Sequence, residues 1–163
     1  MSTLTIRKAN QNDAFLLPGV YNKYLGKATM DTTPRESDFF QEMIHKLGER
    51  ETMLVAEIND DFAGYGILKK YSWKIGYQYT GEISIFLNGK FTGQGIGNKI
   101  MRQLIDQAKK WNYHHLVSRI MAINKGSISF HEKLGYEIVG FQKQAGNVED
   151  KWHDIAILQL IID

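Results

Sequence analysis

The chain has 163 residues, 43% of them hydrophobic and 23% charged, a balance that predicts one soluble globular domain over residues 1–163. Its 20 lysines and arginines offset 18 aspartates and glutamates to leave a net charge of +2. They are scattered, which argues against a nucleic-acid partner. The lack of cysteine excludes disulfides, thiolate metal sites and a cysteine nucleophile. With no stretch of signal-peptide or membrane-span character, the expectation is a cytoplasmic protein with no membrane partner.

Leu4 to Arg7 alternate apolar and polar residues and predict a short strand. Asn12 and Asp13 are candidate caps for a helix through about Leu25, with Phe15, Leu16, Val20 and Tyr24 as its apolar stripe. After a loop, Thr33-Pro34-Arg35-Glu36 reads as a capping box with proline at the first helical position. The helix it opens carries Phe39, Phe40, Met43, Ile44 and Leu47. Met53–Ile58 and Phe62–Lys70 predict two strands of a hairpin turned by Asn59-Asp60-Asp61. Tyr79–Leu87 predicts another strand, which runs straight into the glycine-rich stretch GKFTGQGIGNKIM at residues 89–101.

A helix from about Gly97 to Trp111 places Ile100, Met101, Leu104, Ile105 and Ala108 on one face. His115–Met121 predicts a strand, Ser127–Leu134 a short helix, and Tyr136–Gln142 and Trp152–Ile162 two further strands. The order β-α-α-β-β-β-α-β-α-β-β describes an α/β (α+β) fold, a mixed sheet flanked by helices.

A strand, a glycine loop and a helix in succession can form an anion site, because the first helical turn has unpaired N–H groups and a favourable dipole. Gly93, Gly95 and Gly97 would let a phosphate approach the backbone, although a plain tight turn fits the same spacing. The stretch lacks the G-x-x-x-x-G-K-[ST] of a phosphate-loop NTPase. Nor does G-x-G-x-G, past the middle of the chain, suit a dinucleotide fold. Glu82 interrupts an apolar strand and shares a face with Ser84 and Phe86, either as an exposed edge charge or as a functional carboxylate. His114 and His115 point to opposite strand faces, and His131-Glu132 has no second histidine, so no metal is expected.

Taken together these motifs resemble the GCN5-related N-acetyltransferase (GNAT) superfamily, and within it the phosphinothricin and methionine sulfoximine acetyltransferase group. Thr92-Gly93-Gln94-Gly95-Ile96-Gly97 occupies the place of the pyrophosphate motif Gln/Arg-x-x-Gly-x-Gly/Ala. Asn124, Ser127 and the run from His131-Glu132 to Leu134-Gly135-Tyr136 match a second motif. Tyr21-Asn22-Lys23-Tyr24, Thr80-Gly81-Glu82, Ala145-Gly146 and Trp152-His153-Asp154 match the subgroup, so the resemblance spans essentially the whole chain.

The resemblance implies a mostly antiparallel sheet and acetyl-CoA-dependent transfer to the amine of a small molecule, an amino acid or analogue, by direct attack in a ternary complex. It implies that Gly93, Gln94, Gly95, Ile96, Gly97 and Asn98 hold the coenzyme A pyrophosphate, with the pantetheine arm along Ile85, Phe86 and Leu87 and a polar contact from Asn124. It makes Glu82 the general base, in an apolar setting suited to proton transfer near neutral pH. His131 becomes the acid that protonates the departing thiolate.

Lys74 falls where relatives place an arginine for the substrate carboxylate, with Trp73, Tyr77, Tyr21, Tyr24 and Trp152 as pocket walls, and a homodimer is implied. Two enzyme readings compete, the second being acetylation of a protein N-terminus or lysine; a non-catalytic acyl-CoA-binding module is a third. Thr92 departs from the Gln/Arg of the motif, and the acids in Gly146–Lys151 depart from the basic or neutral character of relatives.

Overall fold

A computed structural model describes residues 2–163. Among the described residues, seven strands form one sheet in the order β1-β2-β3-β4-β5-β7-β6. They are β1 (Leu4–Lys8), β2 (Thr52–Ile58), β3 (Asp61–Lys70), β4 (Thr80–Leu87), β5 (His115–Met121), β6 (Glu137–Val148) and β7 (Lys151–Ile161). Every neighbouring pair is antiparallel except β4 and β5. The helices are α1 (Leu17–Tyr21), α2 (Ser37–His45), α3 (Ile96–Lys110) and α4 (Lys125–Lys133).

Strand alternation feeds two cores. On one face α3 buries Ile96, Ile100, Met101, Leu104 and Ala108 against Ala56, Leu68, Ile83, Leu116 and Ile120. On the other, Leu17 and Val20 of α1 and Phe40 of α2 pack on Met53, Val55, Tyr65 and Ile67. The hairpin turn between β2 and β3 has Asn59 and Asp60 at φ 49° and 67°, the paired left-handed conformation that matches strand twist.

Three expectations are corrected. Residues 11–24 do not form one helix: a 3-10 turn at Gln11–Phe15, the short α1 and a second 3-10 turn at Asn22–Tyr24 follow one another. Pro18 stands in the first turn of α1, where its missing N–H starts a new helix instead of continuing an old one. The cap is Asn10, whose Oδ1 accepts from Asn12 N at 2.9 Å while its own N–H donates to Asp13 Oδ2 at 2.7 Å.

The Thr33 capping box does not form either. Asn22 captures the backbone of Arg35 through two hydrogen bonds of 2.9 Å, and α2 starts later, at Ser37, with no side-chain cap. Finally, β6 continues past Gln142 to Val148 through two register shifts. Glu149 and Asp150, the acids that depart from the family pattern, form the tip of the β6–β7 turn with φ of 51° and 60°.

Asp13, 3% exposed, receives Nη1 and Nη2 of Arg7 at 2.8 Å each, and Arg7 also reaches Glu57. The hydrogen bonds from Arg7 hold the Asp13 carboxyl below its ordinary range, against the opposing effect of burial. A folded-state pKa below the unfolded value stabilises the fold above the unfolded pKa, and that contribution is lost as pH falls through the folded one. Arg7 is partly solvated and keeps Glu57, so Asp13→Asn is expected to cost only about 1 kcal/mol at pH 7. Chemical denaturation from pH 7 to pH 3 checks this: the gap between the two proteins should narrow in acid, and a constant gap would contradict the assignment.

Candidate active site

The parallel pair β4–β5 is paired over only three rungs, Thr80 with His115, Gly81 with Leu116 and Glu82 with Val117. Beyond Glu82 the strands part, β4 staying with β3 and β5 with β7. The sheet therefore opens into a fork at the C-terminal ends of two parallel strands, and each strand leads into a helix whose N-terminus faces the opening. A cleft of about 230 Å³ fills the fork. Its walls are Ile83–Leu87, Ser118–Ile120, Tyr24 and Ala28, with Thr92 and Gly97 at the start of α3 and Asn124, Ser127, Phe130 and His131 from the start of α4.

The fork leaves the fork-facing backbone of β4 without a strand partner. Ser118 Oγ donates to Ile83 O at 3.3 Å, and Tyr24 Oη donates to Leu87 O at 2.5 Å, both from the fork side. Because alternate residues of a strand direct their N–H and C=O to the same side, Ile85 and the N–H of Leu87 also face the fork, where no strand lies. These half-buried backbone groups could pair with an extended ligand that carries amide groups.

The start of α3 is prepared for an anion. Gly93 and Gly95 have φ of 76° and 77°, and a Cβ on either would meet no protein atom within 4 Å. These glycines therefore answer to backbone conformation and to what approaches from outside, since packing imposes nothing there. Gly95 is the helix N-cap, no side chain caps the helix, and no acidic residue occupies its first turn. The N–H groups of Ile96, Gly97 and Asn98 are thus free for a ligand. Gly97 differs from the other two: a Cβ there would sit 3.2 Å from Leu87 and close to Phe130, so its smallness serves packing. Thr92 Oγ donates to Gly89 O at 3.0 Å and keeps the turn closed. The first turn of α4 is capped by Asn124, whose Oδ1 accepts from Ser127 N at 3.1 Å, leaving its amide NH₂ to the cleft.

Glu82 stands on the last paired rung, at the closed end of the fork. Its setting is ionic where the sequence predicts apolar: Arg119 Nε and Nη2 donate to its two oxygens at 2.9 Å each. In a parallel pair, Arg119 is two residues beyond the Val117 opposite Glu82 and shares its face, so the side chains meet diagonally. The carboxylate is 21% exposed, and its partner Arg119 is among the residues that line the cleft. Each carboxylate oxygen retains a lone pair for another donor.

His131 is buried at 7% exposure between the rings of Phe130 and Tyr136. Its Nδ1 lies 2.7 Å from Ser127 O, which only accepts, so Nδ1 carries the proton. Burial holds the imidazole pKa below its ordinary value, although the bond to Ser127 works the other way. At neutral pH Nε2 therefore presents a lone pair, and serving as an acid requires it to gain a proton first.

The remaining predicted residues lie elsewhere. Tyr21 packs edge-on against Phe40 and Phe86 and donates to Asp31 Oδ2 at 3.0 Å, outside the cleft wall. Lys74 and Tyr77 sit on the loop between β3 and β4, where Tyr77 packs on Tyr71 and Trp73 is 90% exposed. Trp152 is exposed on the second residue of β7. Gln94 is exposed beside the glycines, and Asn98 turns its Oδ1 to Arg102 Nε at 2.7 Å. The sequence reading missed Arg119, whose signal was an arginine inside the mostly apolar strand HLVSRIM.

A sheet forked between parallel strands, with an uncapped glycine N-terminus on one side and a carboxylate at its base, defines an acyl-transfer architecture. Residues 6–157 match the acetyltransferase (GNAT) domain, and the chain belongs to that family. It is 29% identical to the L-methionine sulfoximine/L-methionine sulfone acetyltransferase of Salmonella typhimurium, over 98% of this chain and 95% of the relative. A putative acetyltransferase from Salmonella typhimurium, solved with its cofactor acetyl-CoA, superposes with a TM-score of 0.90 at 28% identity. The match covers 99% of this chain and 95% of that one. A ribosomal-protein-alanine N-acetyltransferase from Brucella melitensis gives a TM-score of 0.92 at 27% identity, covering 97% and 99%.

Proposed function

We propose that this acetyltransferase moves the acetyl group of acetyl-CoA to the amine of a small amino acid or close analogue, by direct attack with both substrates bound. The observation that carries the reading is the β4–β5 fork, which joins free helix and strand donors to a carboxylate at its closed end. The Salmonella relative named for L-methionine sulfoximine and sulfone supports an amino-acid acceptor.

Acetyl-CoA, when bound, supplies the acyl group as a thioester open to attack by a neutral amine. The cradle at Gly93 and Gly95, with the N–H groups of Ile96 to Asn98, fits its pyrophosphate. The fork-facing groups of Ile85 and Leu87 suit an amide-bearing arm, and one of these N–H groups can stabilise charge on the carbonyl oxygen. Glu82 takes the proton of the ammonium, directly or through a water beside Arg119. His131 Nε2 takes up a proton from solvent and gives it to the departing sulfur, while the second proton of the attacking nitrogen leaves to water. The rest of the rate comes from holding amine and acyl carbon together.

The likeness to the Brucella enzyme favours one second reading, acetylation of a protein N-terminal alanine. A thiol-release assay with acetyl-CoA separates the two. The panel should contain L-amino acids, methionine sulfone, methionine sulfoximine, phosphinothricin and an alanine-initiated peptide. Turnover confined to the free amino acids and analogues is expected, whereas turnover of the peptide alone would replace this reading with the second.

A further inference from the structure

Among the described residues, Arg119 is the one lysine or arginine that lines the cleft. It is 56% exposed, and its pairing with Glu82 uses Nε and one N–H of Nη2. A guanidinium has five N–H donors on two usable edges, so one edge stays committed to Glu82 while Nη1 and the rest of Nη2 remain available. No protein acceptor engages Nη1 among the described residues.

We infer that Arg119 anchors the α-carboxylate of the acceptor beside Glu82, which makes this site selective for free α-amino acids. The inference rests on the amino-acid reading above and deepens it. An α-amino acid carries its ammonium and carboxylate two bonds apart, with opposite charges side by side. The Glu82–Arg119 pair presents the reverse arrangement on one sheet face, carboxylate and guanidinium in contact at 2.9 Å. A zwitterion set against the pair meets opposite charge at both ends. A second carboxylate can take the outer edge of the guanidinium without displacing the first, in the bidentate geometry that arginine favours. An amine whose neighbouring carbonyl is already an amide, as at a peptide N-terminus, offers that edge no anion. Lys74 is not needed for this contact, since it lies on the exposed loop before β4 and outside the cleft wall.

The test compares L-methionine sulfone with its carboxamide as acceptors, for the intact protein and for Arg119→Gln and Arg119→Lys. The intact protein should prefer the carboxylate by roughly 100-fold in kcat/KM, the scale set by hydrogen bonds to a charged group. In Arg119→Gln both rates fall, because Glu82 loses its partner. The preference should nevertheless collapse to within a few-fold, most of the acid's extra loss appearing in KM. Arg119→Lys should fall between. Acetyl-CoA affinity, measured by calorimetry on each protein, confirms that the variants are folded. If Arg119→Gln slows both acceptors equally and keeps the preference, Arg119 only positions Glu82 and the inference fails. Equal turnover of acid and amide by the intact protein also overturns it, while leaving the amino-acid reading standing. No turnover of either acceptor by the intact protein overturns both.

Discussion

Glu82→Gln is expected to lower kcat at neutral pH by about 10²- to 10⁴-fold, the range for loss of a positioned general base. Glutamine keeps the shape of glutamate and one oxygen that can still accept from Arg119, so the fork should close normally. What it removes is the charge and the ability to take the ammonium proton. Glu82 lies on the last rung of β4–β5 and not along the glycine loop, so the dissociation constant of acetyl-CoA should stay within about three-fold, the effect expected of a residue not in contact. The check is steady-state kinetics from pH 6 to 9 beside calorimetry with acetyl-CoA. A kcat within a few-fold of the starting protein, or an unchanged pH–rate profile, would remove Glu82 as the base.

Gly95→Ala is expected to weaken acetyl-CoA binding by about 10- to 100-fold, and two costs combine to produce this. At φ 77° an L-residue is strained by roughly 1–2 kcal/mol, which also lowers stability. In addition, the new methyl would enter space that no protein atom fills, which is where a phosphate would lie against the N–H groups of the first turn. Calorimetry with acetyl-CoA measures the loss of affinity, and thermal unfolding measures the backbone strain. Lowered stability with unaltered affinity would mean that the loop is only a tight turn. Gly97→Ala offers a contrast, because its methyl would press on Leu87 and Phe130 inside the protein.

Much of this was legible in the sequence, for physical reasons. The period-3.6 stripe of Ile100, Met101, Leu104 and Ala108 is buried as expected because one amphipathic helix covers one sheet face. Asn59-Asp60 turned the hairpin where predicted, since both tolerate left-handed backbone. The failures came where long-range contacts override local signals. Thr33-Pro34-Arg35-Glu36 has the spacing of a capping box, but Asn22, 13 residues earlier, holds the backbone of Arg35. Glu82 was visible as a carboxylate in a strand; its partner was not, because Arg119 is 37 residues away and meets it only when β4 and β5 pair in parallel. Tyr21 shows what a sequence leaves out: its tip is tied to Asp31 and its ring to Phe40 and Phe86, contacts that no local pattern reveals.

In the proposed reaction the fork holds acyl donor and amine together, with no acyl group passing through the protein. Its most direct test is a two-stage mixing experiment read by thiol release and intact-protein mass spectrometry. The protein is incubated with acetyl-CoA alone, and L-methionine sulfone is then added. No thiol release and no acetylated protein are expected in the first stage, then thiol and N-acetyl product in equal amounts in the second. Stoichiometric thiol release before the acceptor is added, with an acetyl adduct on the protein that the acceptor then removes, would contradict it.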